Sequence, residues 1–125
     1  MYYICCMNTE NQKAQMRKGV LELCILSIIE EKDAYASDIL DRLRDARLIV
    51  VEGTLYPLLT RLKNDGMTSY RWEESKSGPP RKYHQITDAG RTFLRELKRD
   101  WNDLVLAIQK IIEPLNQSTK NDPLS

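Results

Sequence analysis

Apolar residues return at steps of three and four along the first half of the chain, a spacing typical of amphipathic helices. The first stretch, from about Gln12 to Glu31, predicts a single helix that is buried on much of its circumference. A second helix is predicted from about Tyr35 to Ala46, and a third from Glu52 to Asp65 after the apolar connector Leu48 to Val51. Gly66 then predicts the C-terminal cap of the third helix.

The core of these helices is expected to consist of their recurring apolar residues. In the first helix these are Met16, Val20, Leu23, Cys24 and Ile28, with Leu21, Ile25, Leu26 and Ile29 widening the stripe. In the second and third helices they are Ala36, Ile39, Leu40, Leu43, Leu55, Leu58, Leu59 and Leu62. The wide stripe of the first helix predicts contacts with a second surface as well as with its own domain.

After the third helix the pattern changes from helical spacing to alternation. Thr68, Tyr70 and Trp72 alternate with polar residues and predict a strand. The stretch Ser75 to Pro80 contains Gly-Pro-Pro and predicts a loop, and Arg81 to Ile86 predicts a second strand. Together they predict a β-hairpin with a long, mobile tip.

A long last helix follows the hairpin. Thr87 is a good N-cap, and no breaker except Gly90 precedes Pro114, so the helix is expected to be a rod of roughly 39 Å. Its apolar residues form a heptad seam that no other element of the chain would cover along its second half, which predicts a homodimer. The seam comprises Leu94, Leu97, Trp101, Leu104, Ile108 and Ile111.

Three helices followed by a two-stranded hairpin is the order of a winged helix-turn-helix. The expected fold is therefore mainly α with a small β-hairpin, a winged helix-turn-helix with a long C-terminal dimerisation helix. With 125 residues, 42% of them hydrophobic, the chain supplies one modest core. We expect a flexible N-terminal segment (1–11), a winged-helix domain (12–87), the dimerisation helix (88–113) and a disordered tail (114–125). Met1 to Cys6 is either an upstream extension or a frayed terminus.

Charge is weakly sorted along the chain. The net charge is +1, but the segment from Thr54 to His84 carries six basic and three acidic residues. A basic middle on an otherwise slightly acidic protein suits a surface that binds a polyanion.

The chemistry of metal or nucleophilic sites is not indicated. His84 is the only histidine, and Cys5, Cys6 and Cys24 have no metal-ligand spacing, so no metal, cofactor or enzymatic activity is expected. An odd cysteine count favours a reducing compartment. The apolar run near the N-terminus is too short for a secretory signal or a membrane span, so we expect a cytoplasmic protein with no membrane partner.

Several linked motifs resemble the PadR family of transcriptional regulators. The segment Glu52 to Leu62 (EGTLYPLLTRL), followed by Asp-Gly, resembles that family's recognition helix. Gly78 to Tyr83 (GPPRKY) and Ile86 to Gly90 (ITDAG) resemble its wing and the start of its last helix. Tyr35 to Ile39 (YASDI) resembles the opening of its second helix, although glycine is commoner there at the position of Ala36.

The resemblance covers roughly Lys13 to Ile112, with motifs in the correct order. The single C-terminal helix resembles the compact branch of the family. The resemblance implies a homodimer that binds double-stranded DNA at a pseudo-palindromic operator, commonly as a repressor and often released by a small molecule. A winged-helix module that binds proteins and has lost DNA binding is the alternative.

Helical geometry assigns base recognition to the exposed arc of the third helix, since its leucines face the core. Arg61 is expected to pair with a guanine or hold a phosphate, and Asn64 to recognise adenine. The hairpin cations are expected to neutralise phosphates, and residues at the start of the second helix are expected to donate hydrogen bonds to the DNA backbone. The expected DNA-binding residues are Tyr35, Ser37, Thr54, Tyr56, Thr60, Arg61, Asn64, Arg81 and Lys82.

Trp101 has two interpretations that the sequence leaves open. Two subunits would bring two copies of this residue together, so the indoles can sandwich a small planar aromatic effector. The commoner alternative is an aromatic residue of the dimer interface with no ligand.

Overall fold

The structure, a computed structural model, describes residues 9–48 and 51–113 of the chain. In chain order the elements are α1 (Thr9–Lys18), α2 (Leu21–Glu31), α3 (Ala36–Asp45), α4 (Glu52–Asn64), β1 (Thr68–Ser75), β2 (Gly78–Ile86) and α5 (Asp88–Ile112). The chain divides into two units within α5, the first ending at Leu94 and the second beginning at Arg95. The predictions for residues 1–8 and for the tail from residue 114 lie outside the described residues.

The prediction of one continuous first helix is wrong, because α1 and α2 are separate. The break falls at Gly19 and Val20, where the Val20 N–H donates to the Arg17 carbonyl at 3.0 Å in a tighter turn. Glycine inside a helix costs about 1 kcal/mol relative to alanine, and a β-branched residue follows it here. Met16, predicted to face the core, is 69% exposed.

The core of the first unit lies where α2, α3 and α4 meet. Its apolar side chains are buried at the three- and four-residue spacing of each helix, and full burial of each contributes about 1.5–3 kcal/mol. On α2 the buried residues are those predicted to widen the stripe, Leu21, Ile25, Leu26 and Ile29, whereas Leu23, Cys24 and Ile28 are half-buried. Leu58 on α4 is also half-buried. The buried apolar residues are Leu21, Ile25, Leu26, Ile29, Ala34, Ile39, Leu40, Leu43, Leu55, Leu59, Leu62, Ile86 and Leu94.

The end of α4 is fixed by the predicted glycine cap. Gly66 has a φ of 79°, a conformation that costs glycine little because it has no Cβ. Its N–H donates to the Lys63 carbonyl at 3.0 Å, and the Met67 N–H donates to the Leu62 carbonyl at 2.9 Å. This pair of bonds satisfies carbonyls at the helix end and turns the chain directly into β1.

The hairpin is longer and its turn shorter than predicted. β2 begins at Gly78, so Pro79 and Pro80 lie in a strand and not in a loop. They are tolerated because the strand pairing is irregular there. Glu73 pairs with Arg81 and Ser75 with Gly78, so β2 has one residue more than β1 between these two pairs. Proline lacks the N–H that a regular ladder needs, and bulges in edge strands do not need it.

The hairpin is also joined to the segment between α2 and α3. Ala34 and His84 exchange both backbone hydrogen bonds, with the Ala34 N–H donating at 3.1 Å and the His84 N–H at 2.8 Å. This isolated bridge holds the middle of β2 beside the N-terminal end of α3, which positions the hairpin next to the helix-turn-helix formed by α3 and α4.

The start of α5 packs against the turn between α4 and β1. Thr87 is the predicted N-cap, and this is confirmed by the Gly90 N–H donating to its Oγ1 at 2.9 Å. The Thr87 hydroxyl also lies 2.7 Å from the Gly66 carbonyl and 3.0 Å from the Met67 carbonyl. Gly90 is buried against that turn, and a Cβ there would collide with the Met67 carbonyl and lie 2.8 Å from the Ile86 side chain.

The second unit consists of the remainder of α5. Its described residues are largely exposed, including the large apolar side chains Trp101, Leu104, Leu106, Ile108, Ile111 and Ile112. Among residues 9–48 and 51–113, no helix is both long and apolar enough to cross a membrane.

Gly90→Ala should destabilise the first unit by roughly 1–3 kcal/mol, because the new methyl group overlaps a backbone carbonyl that cannot rotate away. Gly53→Ala is the matched control, since a Cβ on Gly53 in α4 meets nothing within 4 Å and should gain up to about 1 kcal/mol from helix propensity. Urea unfolding followed by circular dichroism measures both. Equal stability of the two variants would contradict the close approach at Gly90.

Candidate nucleic-acid interface

A cleft of about 480 Å³ lies between α4, the start of α3 and the hairpin, and we call it the wing cleft. All of it lies within the first unit. It is lined by Tyr35, Ala36, Ser37, Tyr56, Leu59, Thr60, Lys63, Asn64, Tyr70, Trp72, Arg81, Lys82 and His84. Seven of the nine predicted DNA-binding residues are in this set, so the fold brings together side chains that are up to 47 residues apart in the sequence.

The helical wall of the wing cleft is formed by one face of α4. Tyr56, Thr60, Lys63 and Asn64 follow one another at steps of four, three and one, so they share the side of the helix opposite the buried leucines. All four side chains are exposed. This wall therefore offers hydroxyl, ammonium and amide groups to a partner.

The hairpin wall begins with Arg81, whose guanidinium is held in place by α3. It donates to the Ser37 hydroxyl at 2.6 Å and lies over the Tyr35 ring at 4.1 Å from the centroid. A stacked and hydrogen-bonded guanidinium is oriented before any partner arrives, which lowers the entropy cost of binding. The predicted residues Tyr35, Ser37 and Arg81 thus form one group of touching side chains.

The centre of the hairpin wall combines cations with aromatic rings. The Lys82 ammonium lies 4.6 Å from the centroid of the Tyr70 ring and 5.6 Å from that of Trp72. The Lys63 ammonium lies 5.7 Å from the Tyr70 ring on the side of α4. Tyr70 and Trp72 meet edge to face at 6.1 Å. These contacts place two positive charges around a half-buried phenol.

Two predicted DNA-binding residues do not line the wing cleft. Arg61 forms an ion pair with Glu22 of α2, with its side chain 59% exposed. Thr54 is half-buried near the start of α4. The exposed arc of α4 is therefore divided, with Arg61 directed to α2 and with Tyr56, Thr60, Lys63 and Asn64 facing the hairpin.

His84 lies at the base of the wing cleft and is only 7% exposed. Burial lowers the pKa of its imidazole, and the nearby positive charge of Lys82 lowers it further. Its Nδ1 has no hydrogen-bond partner among the described residues. The imidazole is therefore held neutral beneath the basic rim.

Sequence reasoning missed six residues of the wing cleft: the core residues Ala36 and Leu59, and the polar or aromatic residues Lys63, Tyr70, Trp72 and His84. A signal existed for Lys63, which follows Tyr56 by seven positions and shares its helical face. Tyr70 and Trp72 were recognised only as alternating strand residues. Since Tyr70 pairs with His84 and Trp72 with Lys82, their shared face became visible only from the register of the hairpin.

The electrostatics of the wing cleft are one-sided. Of the described residues that line it, three are cations and none is Asp or Glu. A helix that presents polar side chains beside a basic two-stranded wing is the arrangement of winged helix-turn-helix proteins, which dock the helix in the major groove and the wing against the backbone. The fold and site thus define the class of winged-helix DNA-binding proteins.

Comparison with known proteins identifies the family. Residues 25–96 match the model of the "Transcriptional regulator PadR-like family", and the chain belongs to this family. The resemblance seen in the sequence is therefore confirmed. The protein is a DNA-binding transcriptional regulator and not an enzyme.

Solved structures agree with this assignment. A PadR-like transcription factor from Bacteroides fragilis is 57% identical, with a TM-score of 0.69, over 81% of this chain and 98% of that chain. A PadR-like regulator from Bacillus cereus is 35% identical, with a TM-score of 0.71, over 79% of this chain and 97% of that chain. A PadR family regulator from Eggerthella lenta is 31% identical, with a TM-score of 0.77, over 90% of this chain and 97% of that chain.

The buried His84 should make folding stability fall as the pH decreases below about 6.5. The pKa of His84 in the folded protein lies below the ordinary value of 6.5. At pH values between the two pKa values, the unfolded chain therefore binds a proton that the folded protein does not bind. Stability is thus full above pH 6.5 and declines towards the lower folded-state pKa.

Urea unfolding at pH 7.5 and 5.5 measures this effect against a His84→Gln variant. Because His84 is the only histidine, the variant should lose less stability between the two pH values than the unsubstituted protein. Equal losses would show that carboxyl groups alone cause the acid sensitivity.

Proposed function

We propose that this regulator is a cytoplasmic homodimer that represses transcription by binding a pseudo-palindromic operator through the wing cleft of each subunit. The proposal is carried by the wing cleft, where α4 and the hairpin present polar and basic groups and none of the described lining residues is Asp or Glu. Two such surfaces related by a two-fold axis would meet half-sites about 34–36 Å apart, one turn of the duplex.

Base recognition is assigned to α4. Tyr56, Thr60 and Asn64 are exposed on its groove-facing side, and Asn64 has the donor and acceptor pair that matches adenine in the major groove. Thr54 and Arg61 are assigned to the flanks of this contact. Arg61 has five donors, so its pair with Glu22 leaves donors free for a phosphate or a guanine.

Binding of the DNA backbone is assigned to the hairpin and the start of α3. Arg81 is oriented by Ser37 and Tyr35, and Lys82 extends from the next position of β2. Lys63 joins the residues that the sequence predicts to bind DNA, because it lies across the wing cleft from Lys82. Cations at these positions neutralise phosphates whatever the sequence, which fixes the register of α4 in the groove.

Dimerisation is assigned to the second half of the seam on α5. Leu94 is fully buried in the first unit and Leu97 is half-buried, whereas Trp101 and the three later members of the seam are exposed. Exposed apolar residues in heptad spacing favour a coiled-coil contact with a second copy. The later members are Leu104, Ile108 and Ile111.

Trp101 is the candidate for effector recognition within this dimer. Its indole is 43% exposed at a seam position, so pairing of two subunits would bring two indoles near one another. A small planar aromatic compound held between them would alter the separation of the subunits and release the operator.

Replacing Lys82 with glutamine should weaken operator binding and lower its salt dependence. Removing one phosphate-binding cation reduces the slope of log affinity against log salt concentration by about 0.9, so a dimer, which loses two, should show a reduction of about 1.8. Fluorescence anisotropy with a duplex selected by the protein from a random library, at several salt concentrations, measures the slope.

Lys110→Gln provides the matched control, since it removes the same charge from α5 outside the wing cleft. This variant should retain the slope of the unsubstituted protein. Failure of the unsubstituted protein to select any duplex would overturn the operator proposal and favour a module that binds proteins.

Replacing Ile108 with glutamate should convert the dimer into a monomer at micromolar concentration. A charge placed in an apolar seam lacks a partner and resists desolvation. Leu106→Glu is the matched control, because Leu106 lies on the side of α5 opposite the seam. The two side chains have similar exposure, 59% for Leu106 and 45% for Ile108. Sedimentation velocity distinguishes the species, and a Leu106 variant that dissociates equally would contradict the seam.

A further inference from the structure

We propose that Glu22 of α2 sets the base specificity of this regulator by holding Arg61 of α4 in a neutral, oriented ion pair. Arg61 then reads the edge of a base and does not act as a free phosphate-binding cation. This inference rests on the DNA-binding function proposed above. It assigns a positioning role to a residue that lies outside both α4 and the wing cleft.

The two cations of α4 have different surroundings. Lys63 lines the wing cleft, where none of the described lining residues is Asp or Glu. Arg61 instead meets a carboxylate, with its Nη2 in contact with Oε1 of Glu22. A free cation releases counterions when it binds a phosphate, whatever the DNA sequence, whereas a cation that is already neutralised contributes little to that release. The pair therefore removes Arg61 from the sequence-independent part of the binding.

The Glu22 carboxylate is well placed to orient the guanidinium. It lies in the first turn of α2, where the positive end of the helix dipole favours a negative charge. Its side chain is 22% exposed, compared with 59% for that of Arg61, so the more buried partner anchors the more exposed one. The contact at Nη2 leaves the Nη1 and Nε donors of Arg61 for a partner. Guanine presents two acceptors to such donors in the major groove.

Folding stability alone does not account for this pair. The leucines Leu55, Leu59 and Leu62 already anchor α4 in the core, and ion pairs with an exposed partner contribute little to stability. Arg61 directly follows Thr60, which lines the wing cleft, so the arginine lies at the flank of the surface that meets DNA. Fixing the direction of a flexible side chain at this flank favours one base contact over many phosphate contacts.

The salt dependence of binding tests the neutral state of Arg61. Glu22→Gln should free the arginine, so the slope of log affinity against log salt concentration should steepen by about 0.9 per subunit, or about 1.8 for a dimer. Fluorescence anisotropy with a duplex of unrelated sequence measures this slope. Glu31→Gln is the matched control, since Glu31 also lies on α2 and pairs with an arginine, Arg42, but neither residue lines the wing cleft. It changes the net charge equally and should leave the slope unchanged.

Base preference tests the orientation of Arg61. Duplexes with each base pair substituted in turn should show that the unsubstituted protein prefers guanine at one position of each half-site. Glu22→Gln should reduce this preference roughly tenfold. The double variant Glu22→Gln, Arg61→Gln should lose the preference and yet keep the salt slope of the unsubstituted protein, because it removes one charge of each sign. Glu22→Asp keeps the charge with a shorter reach, so it should keep the slope and weaken the preference.

Circular dichroism should show the same fold in every variant, and the Glu22→Asp and double variants carry the test if Glu22→Gln does not fold. An unchanged slope in Glu22→Gln, or an unchanged preference in the double variant, would show that the pair only joins two helices. Either result would refute this inference and leave the operator proposal standing. Failure of the unsubstituted protein to select any duplex would instead remove the operator proposal, and this inference with it.

Discussion

The close approach of α5 to the turn after α4 is the interaction on which the arrangement of the first unit depends. The Thr87 N–H donates to the Met67 carbonyl at 3.1 Å, and the Thr87 hydroxyl bonds to the same turn while capping α5. Gly90 permits this approach because it has no Cβ. One junction therefore fixes the end of α4, the base of the hairpin and the start of α5, which are the three elements that must keep a common register.

The wing cleft follows from two constraints applied to the hairpin. The junction at Thr87 holds the base of β2, and the backbone bridge between Ala34 and His84 holds its middle beside α3. The outer part of β2 is held by side chains, since Arg81 bonds to Ser37 and stacks on Tyr35. With the hairpin fixed at these points, the spacing between its cations and α4 is set before DNA is bound.

Most of the fold was predictable because it depends on local patterns. The leucines of α4, its Gly66 cap and the Thr87 cap are each determined by residues within one turn of helix. The predictions were wrong where a single residue changed the backbone conformation. Gly19 broke the first helix despite its continuous apolar pattern, and Pro79 entered a strand because a bulge removed the need for its N–H.

The site was only partly predictable, because strand register and side-chain pairing are non-local. Helical spacing identified Tyr56, Thr60 and Asn64, but it could not show that Arg61 pairs with Glu22. The aromatic residues of the wing cleft were not predictable either, because their position depends on the register of the hairpin. Only the pairing of Trp72 with Lys82 places these two side chains on the same face.

A net charge of +1 gives the protein as a whole little long-range attraction for DNA. In the proposed function, affinity comes from the three cations of the wing cleft, and none of the described residues that line it is Asp or Glu. A surface that relies on so few charges is sensitive to any competing anion that enters it. Local sorting of charge at low net charge would therefore make such a regulator easier to release from its operator than a strongly basic one.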